Sequence, residues 1–207
     1  MKTVLGIVST LFILASPWVL YWTLSQHEVG VAAMTLIGWV IVRSIPVLLS
    51  ARREQRRAAL QLPAIALGFA FLGWVSDNGT WFLILPSATQ ATFGTAFLRS
   101  LSTTPLIEHF ARMMKPELSV AEQAHCRSWT RIWGVYLLVL AATGLVLARW
   151  ASLAVWTVYV GVVSYVLVGV LFAIEYFVRK IRFRDYGRNP LDWLLSKWFP
   201  ATQPRVS

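Results

Sequence analysis

Residues 129–180, WTRIWGVYLLVLAATGLVLARWASLAVWTVYVGVVSYVLVGVLFAIEYFVRK, hold two apolar runs separated by the short break Arg149-Trp150-Ala151-Ser152. Neither run alternates polar and apolar residues as a half-buried strand would. Each is long enough for a helix to cross about 30 Å of hydrocarbon, which takes roughly 20 residues. Lipid offers no partners to backbone N–H and C=O groups, so each run must satisfy its own, and a helix does. The stretch predicts a helical hairpin in a membrane.

The rest of the chain extends the pattern. Of 207 residues, 57% are hydrophobic and 14% charged, and the mean hydropathy is +0.61, a composition foreign to soluble domains of this size. Apolar stretches at 4–24, 29–49, 60–76 and 81–101 join those at 129–148 and 153–178, so the expected fold is an all-α bundle of six transmembrane helices in three hairpins. Residues 1–180 form the membrane domain and 181–207 an amphipathic tail with a short surface helix. Met1, Lys2 and the run after them also resemble a signal peptide, but no A-x-A-like site closes the run, and an uncleaved first span is expected.

Charge sets the orientation. The connections around 26–28, 77–79 and 149–152 are short and carry no base but Arg149, whereas ARREQRR (51–57) and the segment 101–128 are basic. Lys and Arg stay on the cytoplasmic side, which places both termini inside. Trp18, Trp22, Trp74, Trp81, Trp150 and Trp156 then fall at the outer interface and Trp129 and Trp133 at the inner one, where amphipathic rings are favoured. The lone Cys126 excludes an internal disulfide. A net charge of +10 spread in this way fits anionic lipid and acidic soluble proteins rather than nucleic acid.

Two helix starts are legible on the inner side. Thr104 before Pro105 suits an N-cap followed by the first helical position, and Glu108 falls in the first turn. On that helix Leu106, Ile107, Phe110 and Met113 or Met114 share one face, while Glu108, His109, Arg112 and Lys115 share another, as in a helix lying along the membrane surface. Ser119 and Glu122 form a capping box for a second helix that runs into the fifth span.

Ionisable groups near a span are functional candidates. Glu175 lies four residues before Arg179, so it falls near the inner interface, where Arg131 and Arg99 are its expected counter-ions; Arg43 is within snorkelling reach of the same face. Gln90 stands mid-span, four residues after Pro86, and Ala88, Thr92, Thr95 and Arg99 make a small and polar stripe suited to close helix packing or to a polar cavity. Glu108 beside His109 could serve acid–base chemistry, but adjacent helical residues point about 100° apart. No metal-ligand cluster or phosphate-binding glycine loop stands out, and no cofactor is expected.

From about Leu85 to Lys180 the chain resembles a group of uncharacterised bacterial inner-membrane proteins. The resemblance rests on P-x-I-E-x-x-A-R at Pro105, Ile107, Glu108, Ala111 and Arg112, and on the E-x-x-x-R ending at Glu175 and Arg179. That group is often encoded beside ketosynthase, acyl carrier protein and acyltransferase genes of aryl-polyene-type lipid clusters, and its members tend to carry Asn where Gln90 stands. The resemblance implies a bacterial inner-membrane setting near lipid assembly and supplies no catalytic residue. The expected function is an accessory or scaffold subunit that brings acyl carrier protein or synthase enzymes to the cytoplasmic face. The alternatives are a small-molecule or lipid transporter centred on Gln90 and a membrane acyltransferase using Glu108 and His109. In size and hairpin organisation the chain also resembles the septation-type inner-membrane proteins, which keeps envelope maintenance in view.

Overall fold

The computed structural model describes residues 15–26, 28–50, 53–184, 186 and 190–200. The start of the expected first span (4–14), Arg52 and the end of the tail (201–207) lie outside the described residues, as does the side chain of Arg43.

Every regular element among the described residues is a helix. Helix α1 covers residues 15–26, followed by α2 (Val29–Ser50), α3 (Arg53–Ser76), α4 (Thr80–Ser100), α5 (Leu106–Met114) and α6 (Val120–Trp150). Helix α7 (Leu153–Val158) passes through a π-helical turn, Tyr159–Val163, into α8 (Ser164–Phe183), and α9 (Pro190–Trp198) follows. Two segments of 31 residues, Val120–Trp150 and Leu153–Phe183, are long and apolar enough to cross a membrane; Val29–Ile41 and Pro63–Ser76 are shorter apolar segments. Most of the basic stretch 51–57 is helix rather than connection, because α3 already begins at Arg53 and its Arg, Glu, Gln and Ala residues are strong helix formers.

Local chemistry ends and starts these helices. Asp77 adopts a left-handed backbone (φ 48°) at the end of α3, whereas Gly79 is right-handed, so the turn residue that takes positive φ is the aspartate. Asn78 then accepts from the Thr80 N–H at 2.9 Å to open α4. The Ser119–Glu122 capping box closes in both directions at the start of α6. Thr104 does not cap α5: Pro105 occupies the N-cap position, and the free N–H groups of Leu106 and Ile107 donate to the side-chain oxygens of Ser100 (3.0 Å) and Thr130 (3.3 Å). Proline fixes φ and leaves the capping to more distant hydroxyls.

Helices α4 and α6 pack antiparallel with their backbones close together. A Cβ on Gly94 would lie 2.9 Å from the Gly134 carbonyl oxygen, and one on Gly144 would lie 2.4 Å from Ser87 Oγ. The contact stripe on α4 is therefore Ser87, Gly94 and Leu98 in place of Ala88, Thr92, Thr95 and Arg99; Thr92 and Thr95 spend their hydroxyls on carbonyls of their own helix, and Thr95 and Arg99 are exposed. Small residues let helices approach where lipid provides no hydrophobic drive between them.

Three apolar clusters fill the interior. Ala32, Ala33, Ala70 and Phe82 join α2, α3 and α4, with Leu20 and Leu24 of α1 against them. Trp129, Trp133 and Leu171 join α6 to α8, and Trp156, Tyr159 and Val160 tie α7 to α1, α4 and α6. Trp129, Trp133 and Trp156 are buried in these clusters, Trp18, Trp22, Trp74 and Trp150 are exposed, and Trp81 is half-buried.

Candidate functional site

Two regions carry polar chemistry inside this framework. The first lies where the first half of α6 meets the second half of α8. Glu175 accepts a hydrogen bond from the Trp133 indole N–H at 2.5 Å, and it makes no ion pair with Arg131 or Arg99. The physical reason is helical phase: two residues apart on α6, Trp133 and Arg131 point about 200° apart, so Trp133 faces α8 and Arg131 faces away. Arg131 and Arg99 are both exposed. Phe172 stacks on the Trp133 ring at 4.4 Å, which holds the indole in place for the carboxylate.

Next to Glu175 and one turn beyond on α8, Tyr176 and Lys180 converge on Asp192 of α9. The tyrosine hydroxyl and the lysine ammonium (2.8 Å) both donate to this carboxylate, which is 1% exposed. The tail helix is therefore latched to α8 rather than lying loose on a surface. Tyr176 and Lys180 stand four residues apart, one helical turn, and that spacing is the signal by which the sequence could have announced a shared acid.

Around α5 the structure joins Glu108 to Arg112, with Oε1 accepting from Nε at 2.9 Å and from Nη2 at 2.7 Å. Glu108 is buried; His109 is exposed and turns its ring to Phe110. The carboxylate is thus committed to the guanidinium one turn on, and the Glu108–His109 neighbours do not form an acid–base pair. Phe110, Met113 and Met114 are exposed along the outer side of α5. Lys115 reaches Glu122 at 2.7 Å and, with the Ser119 backbone, holds that carboxyl below the usual glutamate value in the part of α6 that precedes its apolar run.

The second region is a cavity of about 470 Å³ between α1, α2, α3 and α4, closed on one side by Trp156 of α7. Three prolines from three helices, Pro17, Pro63 and Pro86, lie in its wall. Pro86 has no N–H for the Phe82 carbonyl, which removes one rung of the α4 ladder and loosens packing there. Most of the remaining wall is apolar. Four of its hydroxyls are turned onto their own helices: Thr23 donates to Val19, Thr35 to Val31, Ser44 to Val40 and Thr89 to Leu85. Gln90, half-buried on α4, is not one of the lining residues, although Pro86 and Thr89 of the same helix are. The sequence pointed to a polar cavity at Gln90 near Pro86; the cavity found takes in Pro86 and Thr89, is mostly apolar and does not include Gln90, because it arises from how four helices meet.

No protein-family model, curated protein or solved structure matches the chain.

Proposed function

We propose that the chain is a multi-pass protein of the bacterial inner membrane, with six spans and both termini cytoplasmic, that serves as an accessory or scaffold subunit of a fatty-acid- or polyene-like lipid assembly system. The observation that carries this is the lopsided charge: of the 19 Lys and Arg residues in the sequence, only Arg149 falls in the 26–28, 77–79 and 149–152 connections. Helices α2, α3 and α4, of 22, 24 and 21 residues, have the length a span requires, and the antiparallel α4–α6 contact supports alternating passage. A basic inner face attracts acidic proteins, and acyl carrier proteins fit that chemistry.

Binding of holo acyl carrier protein to the full chain in phosphatidylethanolamine–phosphatidylglycerol vesicles tests the scaffold role. Binding at low salt that weakens as salt screens the charges is the expected result. No binding of the carrier protein or of the ketosynthase, at any ionic strength, overturns it.

A transport role draws support from the cavity beside Pro86 and Thr89. Its test is flux across proteoliposomes, which a bulky Thr89→Trp substitution should block; unchanged flux removes it.

A further inference from the structure

The cavity among α1–α4 is elongated. Along α2 its wall runs from Ala32 to Ser44, about 18 Å at 1.5 Å per residue. That is close to the depth of one hydrocarbon leaflet, about half of ~30 Å. One end lies beside the 26–28 and 77–79 turns, where Thr23, Ala32 and Phe82 line it, and the other end lies a dozen residues deeper, at Ser44, Pro63 and Phe93. An apolar space of this size does not hold water well, since a buried water needs two to four polar partners, and it falls in the volume range of ligand sites.

Trp156 stands in this wall near the turn end, four residues past Ser152. It is 0% exposed, and its indole N–H has no hydrogen-bond acceptor in the structure. A buried donor without a partner costs stability unless something supplies an acceptor. The hydroxyl hydrogens of Thr23, Thr35, Ser44 and Thr89 are spent on their own helices, whereas the Trp156 indole N–H is an unpartnered donor in this wall.

We propose that this slot binds one acyl chain of an outer-leaflet phospholipid, with the ester carbonyl accepting from Trp156 Nε1–H and the hydrocarbon running inward between α2 and α4. A phospholipid fits better than a free fatty acid because the donor is neutral and sits at the depth of the ester layer, and no Lys or Arg is among the described residues that line the cavity. The site rests on the membrane-embedded reading above and is independent of the scaffold role. Bound in this way, the lipid would fill the gap that the three prolines open.

The test uses the full chain in phosphatidylethanolamine–phosphatidylglycerol vesicles doped with a phosphatidylglycerol that carries a diazirine on its acyl chain. After irradiation, labelled peptides should include the wall around Thr35 and Trp39 as well as the exposed α8 surface at Val166 and Val170. Ala66→Phe, which fills the slot, should lower the wall labelling several-fold and leave the α8 labelling unchanged. Trp156→Phe removes only the N–H and keeps the ring, so it guards against misfolding; it too should lower the wall labelling several-fold. Wall labelling that tracks the α8 surface and ignores both substitutions would mean ordinary boundary lipid and would overturn the site. Wall labelling by a diazirine fatty acid but not by the phospholipid would overturn the phospholipid assignment. Release of the protein by alkaline carbonate would instead sink the membrane reading itself, so the two failures are distinguishable.

Discussion

Glu175 and Trp133 are 42 residues apart in sequence and joined by a hydrogen bond that excludes the arginine pairing expected for this carboxylate. A charge-assisted bond of this kind contributes about 1.5–3 kcal/mol. Trp133→Phe should therefore destabilise the protein by about 2 kcal/mol, part of it from the carboxylate left with no indole donor. Arg131→Gln, at an exposed position, should change stability by no more than about 0.5 kcal/mol. Thermal unfolding in detergent reads both. In a double-mutant cycle Glu175→Gln should couple to Trp133→Phe and add independently to Arg131→Gln. An acid at the basic end of α8 was legible in the sequence because one carboxylate interrupts an apolar run. Its partner was not, because Trp133 and Arg131 are equally near in sequence and only helical phase separates them.

Among the helices, the capping box of α6 was read correctly from Ser119 and Glu122 because a cap is settled within four residues. Ser119→Ala should cost about 1 kcal/mol, measurable as faster amide exchange over the first turn of α6. The lowered Glu122 value gives this start a pH dependence with a definite sign. Its folded-state value lies below the unfolded one, so the contribution is complete above the ordinary glutamate value of ~4.3 and drains away as pH falls through the folded value. Helix packing was less legible. Gly94 and Gly134 were not singled out, since a glycine's role depends on what approaches it. Gly94→Ala meets a carbonyl oxygen that cannot move aside and should cost about 1–3 kcal/mol. Gly134→Ala meets Leu98 Cδ2 at 2.6 Å, Leu98 Cγ at 2.7 Å and the Gly94 carbonyl oxygen at 3.2 Å and should cost a similar amount, while Gly169→Ala has open space and should be neutral or stabilising by up to ~1 kcal/mol. Ranked melting temperatures of the three variants check the order.

Across the molecule, helix content was plain in the composition, but of the six apolar runs read from the sequence only those in Val120–Trp150 and Leu153–Phe183 form helices, among the described residues, long and apolar enough to cross a membrane, and the latch of α9 and the α1–α4 cavity depend on how distant elements meet. Asp192 fell in the expected short surface helix, but its ties to Tyr176 and Lys180 were not legible because they lie across a turn. Asp192→Asn should release α9 and make the chain after Phe183 cleavable by trypsin at a lower protease level, with the membrane helices intact. The orientation is checked in a Cys126→Ser background: Asn78→Cys should react with an impermeant maleimide on intact cells, and Glu117→Cys only after the inner membrane is breached. The wide turn at Tyr159–Val163 bears on which length changes the gene can tolerate. A π turn is a helix carrying one surplus residue. Losing the codon for Val162, an exposed position, would leave an ordinary helix with Trp156 and Glu175 still facing inward. The same loss at Val170 would swing everything after it by about 100° and carry Glu175 away from its indole. Single-codon deletions scanned along 153–183 should therefore find one tolerant window, at that turn.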